Sequence, residues 1–343
     1  MFDVNVATIT NSSNLDSVIG SPTLRWVFIL TGIIIVIIGI AGNTIVLIGS
    51  IRYQAIEMDR ASIVLLENIA FADLLQTIVR YIPMLLTLCA ERWVMGPVMC
   101  LVTSFVRFVP IGCEMLLIAA TSCYRLHRIL NPLNPQIGTV KLKLLIAAAW
   151  VFTINWPLAL SFDHSPGASY DPSRLLCFPG YNLTSEKSFD IEPIVGLINC
   201  FLPICITIIC NVIILATLAT LARSRGRSSI NLKSLRTVLI ICLTFVISYI
   251  PTLIFLIIGK KINSPSWVWI MLYYVQGINV VANPFIYSWT NNRFKLFMLN
   301  ITCFQRERSD LAKRSYDPRK TNILYNTTST IARNNVAIIQ SSM

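Results

Sequence analysis

Seven stretches of this chain are long and apolar enough to cross a lipid bilayer, and that property removes most of the folds open to 343 residues. They run near Val27–Ile51, Ile63–Leu88, Cys100–Ile129, Leu142–Phe162, Ile194–Leu221, Leu235–Ile258 and Trp267–Trp289. A hydrocarbon core about 30 Å thick takes about 20 apolar residues per helix, each rising about 1.5 Å. No water reaches a backbone N–H or C=O at that depth, so spans of this length must be helical. The composition agrees. Hydrophobic residues make up 55% of the chain and charged residues 13%, where a soluble domain carries about 25% charged; mean hydropathy is +0.67. The expected fold class is an all-α membrane protein, a seven-transmembrane helix bundle. No repeat links the two halves, which disfavours a transporter built by duplication.

Met1 to Pro22 is polar, contains Asp3 and Asp16 and has no apolar core, so the first span rather than a cleaved peptide is expected to direct insertion. The loops set the orientation. Arg125, Arg128, Lys141 and Lys143 follow the third span, and Arg223, Arg225, Arg227, Lys233 and Arg236 follow the fifth, in both cases without an acid. The loop from Asp163 to Glu192 holds five acids against Arg174 and Lys187. Lysine and arginine stay in the cytoplasm, which puts the N-terminus outside a multi-pass plasma-membrane protein and the basic tail inside. Lys260 and Lys261 run against this rule but are outnumbered. The glycosylation triplets at Asn11 and Asn182 both fall outside. The net charge of +12 is read as topology plus attraction to the anionic inner leaflet of the bilayer, with no role for nucleic acid. The organisation expected is an extracellular tail (1–25), a transmembrane domain (26–290), a short amphipathic membrane-surface helix (291–304) and a disordered cytoplasmic tail (305–343).

Of ten cysteines, Cys89, Cys113, Cys123, Cys200, Cys205, Cys210 and Cys242 lie in or at the ends of spans, where a thiol acts as a small hydrophobe. Cys100 and Cys177 both face the oxidising side and are expected to pair, holding the long outer loop over the bundle mouth. Cys303, inside, is read either as a palmitoylation site or as a plain thiol.

Several residues are costly choices in lipid. Asn283-Pro284-Phe285-Ile286-Tyr287 closes the last span, and the carbonyl stranded by Pro284 needs a donor from another helix. Asp73 and Arg80 stand seven apart on the second span, and Arg107 and Glu114 seven apart on the third, so each pair shares a face. Because the two helices run in opposite directions, the arginines lie toward the outside and the acids deeper. Two readings stay open. Either the four neutralise one another, or the acids bind a cation while the arginines face a ligand cavity.

Taken in order, these residues resemble the rhodopsin-like (class A) family of G-protein-coupled receptors, from Gly42 to Phe304. Gly42-Asn43 marks the first span, Asn68 to Leu75 with Asp73 the second, and Trp93-Val94-Met95-Gly96 precedes Cys100, the family's disulfide cysteine. Arg125 lies twenty-five residues after Cys100, followed by Pro132-Leu133; Trp150, Pro203, Phe245 with Pro251, and Asn283 to Tyr287 mark the remaining spans, with Phe294 and Lys295 beyond. The resemblance implies an activation switch built from Tyr124, Arg125, Phe245, Pro251, Asn283, Pro284 and Tyr287. Arg125 would lock the third and sixth helices at rest and then meet a heterotrimeric G protein, with Pro251 as the bend of the sixth helix. It also implies a sodium site at Asp73 and Asn279, with Glu114 replacing the usual serine, and no other cofactor. Ligand contacts are expected at Arg80, Arg107, Phe108, Ile111 and Tyr249. Amine receptors carry an aspartate where Arg107 stands, so an anionic or peptide ligand is expected instead. Arrestin is the expected partner of the Ser/Thr-rich tail, as at Thr327-Thr328-Ser329-Thr330.

Three departures bear on switching. Tyr124-Arg125-Leu126 stands for the family's Asp-Arg-Tyr, so the acid that restrains the arginine is missing; Tyr249 replaces a tryptophan and Asn211 a tyrosine. A photoreceptor would need a retinal-binding lysine where Gly277 stands. An enzyme finds no metal or catalytic constellation, since His127 and His164 lie at membrane ends and no HExxH occurs. A channel or transporter is the remaining alternative.

Overall fold

The structure, a computed structural model, describes residues 19–52, 60–131, 138–158, 165–172, 174–180, 196–225, 232–258, 265, 267–290 and 294. Asn11, Asn182, Cys303, the tail 305–343 and, Phe294 apart, the amphipathic segment 291–304 lie outside the described residues.

Among the described residues seven helical rods form the bundle: α1 (Pro22–Arg52), α2 (Arg60–Ala90), α3 (Gly96–Leu130), α4 (Val140–Leu158), α5 (Leu202–Arg225), α6 (Leu232–Ile258) and α7 (Trp267–Thr290). The first four and a stretch of α5 are each apolar and long enough to cross a bilayer alone. In α7, three interior positions go to the polar Gln276, Asn279 and Asn283. The expected all-α class describes the bundle; a two-stranded antiparallel hairpin, β1 (Ser165–Asp171) and β2 (Leu176–Gly180), adds to it at the end of the bundle that holds Cys100.

Local chemistry fixes where the rods begin and bend. The Ser21 hydroxyl accepts the N–H of Leu24 at 3.2 Å, and Pro22, next in line, has no N–H to satisfy, so α1 starts there. Trp26, Leu30, Ile34 and Ile37 then face outward, each more than half exposed, as a lipid-facing helix requires. Within α2, Thr77–Tyr81 forms a π turn, which inserts an extra residue in the turn that holds Arg80. The ladder of α3 breaks at Arg107, three residues before Pro110, whose ring removes a donor from the following turn. A similar irregularity at Thr153–Ile154 precedes Pro157 in α4. Pro251 and Pro284 lie inside α6 and α7.

Pro284 strands the carbonyl of Val280, and a neighbouring helix supplies the donor. Asn43 of α1, fully buried, gives its Nδ2 to Val280 O at 3.1 Å and to Gly39 O at 3.0 Å. Such an approach of α1 to α7 depends on Gly42. A Cβ there would stand 2.6 Å from Pro284 Cγ. Gly277, the position a retinal-binding lysine would need, is equally crowded, with Ile35 Cδ1 2.8 Å from its missing Cβ.

Two apolar clusters stack along the bundle. The inner one gathers Ile69, Leu117, Ile118, Tyr124, Ile204, Phe245 and Tyr249. The outer one joins Ile19, Phe28, Tyr81, Met84, Leu88, Ile270 and Tyr274 to Leu175, Leu176 and Phe178 of the hairpin. Burying those three hairpin side chains contributes about 1.5–3 kcal/mol each. Cys177 on β2 is bonded to Cys100 at the outer end of α3, so the outer loop is both covalently tethered and pressed into the mouth.

Candidate functional site

Between the two clusters lies a column of buried polar side chains drawn from α2, α3, α6 and α7. Its centre is Glu114, which has no exposed surface. One carboxylate oxygen accepts from Gln76 Nε2 and, at 3.2 Å, from the Tyr249 hydroxyl; the other accepts from Asn279 Nδ2. One side chain thereby ties α3 to three other helices. Asp73, also without exposed surface, accepts Asn283 Nδ2 at 2.8 Å and lies close enough to Glu114 for the two carboxyl groups to interact directly. Adjacent carboxylates repel, so a proton or a cation must stand between them.

The spare valences in this column are acceptors. Asp73 Oδ1, Gln76 Oε1, Asn279 Oδ1 and Asn283 Oδ1 are buried without a hydrogen-bond donor. Oxygen acceptors in surplus beside two carboxylates suit a hard cation that binds through oxygen. Among the described residues no cluster of three His, Cys, Asp or Glu side chains exists, so a transition-metal centre does not fit here.

The arginines do not pair with the acids. Arg80, 2% exposed, gives Nη2 to Gln276 Oε1 of α7 and lies over the Tyr273 ring with its carbon 4.4 Å from the centroid. Its Nη1 is buried without an acceptor. Arg107, 3% exposed, gives Nη1 to the carbonyl of Cys177 in the hairpin, and its guanidinium stands 4.1 Å from the Phe178 ring and 4.5 Å from Phe108. Among the described residues no ion pair joins either arginine to Asp73 or Glu114. The reading in which the four neutralise one another by direct contact is therefore corrected. The π turn in α2 and the break in α3 reset the rotation between each arginine and its acid, so even spacing does not translate into pairing.

The other expected contacts fall around this column. Phe108 packs on Trp156 with ring centroids 4.9 Å apart, Ile111 is buried in the inner cluster, and Tyr249 stacks on Phe245 at 5.0 Å while bonding Glu114. Tyr249 also lies two residues before Pro251, so the bend of α6 is tied to the acid. At the end of α3 away from Cys100, Tyr124 and Tyr287 are buried and Arg125 half-buried, with Arg128 6.0 Å from the Tyr124 ring. Gln76, Gln276 and Tyr273 carry no charge, and the sequence reading, guided by charge, does not mark them. An amide one turn from Asp73 or Asn279 inside an apolar span is the signal that could have found two of them. Glu67, another acid inside the second span, lines a cleft of about 470 Å³ between α2 and α4 with Arg60 and Lys143.

The chain is similar to known proteins. A family model described as 7 transmembrane receptor (rhodopsin family) matches residues 42–287. The tachykinin-like peptides receptor 86C of Drosophila melanogaster is 24% identical over 286 residues, covering 78% of this chain and 56% of the relative. Proteinase-activated receptor 4 of Mus musculus is 27% identical over 265 residues, covering 74% and 65%. The chain thus spans less than two thirds of the length of these two. Melatonin receptor type 1B-B of Danio rerio is 24% identical over 316 residues, covering 85% and 88%. In fold, squid rhodopsin superposes with a TM-score of 0.66 at 16% identity, over 85% of this chain and 92% of that one.

Proposed function

Because the chain belongs to the rhodopsin family of seven-transmembrane receptors, we propose that it is a plasma-membrane receptor that binds an extracellular ligand and activates a heterotrimeric G protein. The observation that carries this reading is the Glu114 junction. A carboxylate bonded to α2, α6 and α7 from α3 makes the packing of four helices depend on one set of hydrogen bonds. A ligand that favours a different arrangement of any one of them shifts the whole set, and the equilibrium moves only by its difference in affinity for the two arrangements. Tyr249 links that set to the Pro251 bend, and Asn283 links it to Pro284 through α7. Arg125, without an acid beside it in sequence, sits at the end where the G protein docks. Arrestin is the second cytoplasmic partner in this reading, through the Ser/Thr-rich tail.

The test is nucleotide exchange on purified G proteins, without ligand, for the wild type and Arg125→Ala. Measurable basal exchange that falls at least about tenfold in the variant is expected, since an arginine contacting the partner is worth about 1.4 kcal/mol or more. Exchange unchanged by the substitution would sink the reading.

The ligand proposed carries an acidic group, a carboxylate or phosphate, as a small anion or on a peptide. Arg80 supports this: it is buried, cationic and short of one acceptor, a state that an anion relieves. In a screen of carboxylate and phosphate ligands, Arg80→Gln is expected to weaken binding about 30-fold or more, the loss of one charge-assisted pair of about 2 kcal/mol. Equal affinity in both proteins would exclude Arg80 as the anchor. A sodium ion is proposed as modulator, held by Asp73 and Glu114 with the oxygens of Asn279 and Asn283.

A further inference from the structure

Cys123 of α3 and Cys210 of α5 bring their sulfurs to 3.5 Å, the contact distance of two thiols. Beside them the two helices are held in register, since Asn211 Nδ2 donates to Ser122 Oγ at 3.2 Å and to the Thr207 carbonyl of its own helix at 2.7 Å. The sulfurs need to approach by about 1.5 Å to reach a bonded distance of about 2.05 Å. Access differs between the partners. Cys123 is exposed on the outside of the bundle, and Cys210 is 7% exposed. Cys123 also directly precedes Tyr124-Arg125, the pair that lost the acidic residue expected to restrain it.

We propose that Cys123 and Cys210 are an oxidisable pair, joined by a peroxide into a reversible disulfide that fixes α3 against α5 and lowers nucleotide exchange. The last clause rests on the receptor reading above; the covalent step does not. The thiolate of Cys123 attacks the peroxide, giving a sulfenic acid and releasing hydroxide. The Cys210 thiol then attacks that sulfur, forming the S–S bond and releasing water, so two thiols and one hydrogen peroxide give one disulfide and two waters. Peroxide reaches Cys123 only from the lipid-facing side of the bundle, so sustained exposure is required rather than a brief pulse. A membrane-permeant dithiol that reaches the same face reverses the bond by exchange. The disulfide supplies across α3 and α5 a restraint that Tyr124-Arg125-Leu126 does not supply along α3.

The experiment treats the full-length receptor in nanodiscs with hydrogen peroxide, then reads non-reducing peptide maps, melting temperature and basal exchange. Expected are a linked Cys123–Cys210 peptide that dithiothreitol separates, a melting temperature raised by several degrees, and basal exchange lowered about twofold or more. Cys123→Ser and Cys210→Ser each abolish all three changes, and Cys205→Ser abolishes none. Sulfinic acid on Cys123 without the linked peptide overturns the proposal, as does a linked peptide that leaves melting and exchange unmoved. A linked peptide with raised melting, in a protein silent toward every G protein whether reduced or oxidised, supports the pair and counts against the receptor reading instead.

Discussion

Glu114→Ala is expected to leave little folded receptor at the cell surface. The carboxylate is fully buried and accepts from Gln76, Tyr249 and Asn279 on three different helices. Truncation orphans all three donors in the buried interior, and each unsatisfied donor costs about 1–3 kcal/mol. The sum, above about 3 kcal/mol, is a large part of the 5–15 kcal/mol by which a protein of ordinary stability stays folded. Surface labelling and the melting temperature of the purified protein read the effect; a variant that melts within a degree of wild type would show that the junction holds nothing. Glu114→Gln separates structure from charge. It keeps one of the two acceptor oxygens, so folding suffers less than in Glu114→Ala, but one of the two carboxylates beside the surplus oxygens of Asn279 and Asn283 is gone. Replacing N-methylglucamine by sodium is expected to raise the melting temperature of wild type and to do so much less for Glu114→Gln. Equal sodium effects in both would remove Glu114 from the cation site.

Gly42→Leu is expected to separate α1 from α7. The added Cβ would stand 2.6 Å from Pro284 Cγ and 3.0 Å from Pro284 Cβ, and a proline ring inside a helix cannot turn aside. As α1 retreats, Asn43 Nδ2 loses Val280 O, and the carbonyl stranded by Pro284 is left in an apolar interior. Overpacking and the lost bond together cost about 2–5 kcal/mol. Melting of Gly42→Leu, Asn43→Ala and the double variant checks the mechanism. Because both single changes break the same contact, the double variant should melt close to Gly42→Leu alone. Full additivity would mean that the two act independently and that the glycine does not serve the Asn43 bond.

Much of the bundle was legible because the bilayer enforces it. A span such as Val27–Ile51 has one permissible conformation at that depth, and the need of Pro284 for an outside donor follows from its missing N–H. That the donor is Asn43 was not legible, since it depends on how closely two helices 237 residues apart can approach. The candidate site divides in the same way. Asp73, Arg80, Arg107 and Glu114 announce themselves as charges in lipid, but their partners are neutral: two glutamines, two asparagines, a tyrosine hydroxyl and a backbone carbonyl. A seven-residue spacing puts two side chains on one face only in an unbroken α-helix, and α2 has a π turn at Thr77–Tyr81 while α3 breaks at Arg107. The hairpin escaped notice because its strands are short and hold Pro166, Gly167, Pro179 and Gly180, residues that read as turns.

The hairpin that covers the mouth is fastened at one edge by Cys100–Cys177 and seated by Leu175, Leu176 and Phe178. If a ligand lodges near Arg80, as proposed, it has to wait for that flap to lift, both on the way in and on the way out. Arrival and departure are then slowed by the same opening event, which leaves their ratio, the affinity, nearly untouched. Such a receptor responds late and forgets slowly. On that reading the timing of the response rests in part on three apolar side chains and one sulfur bridge.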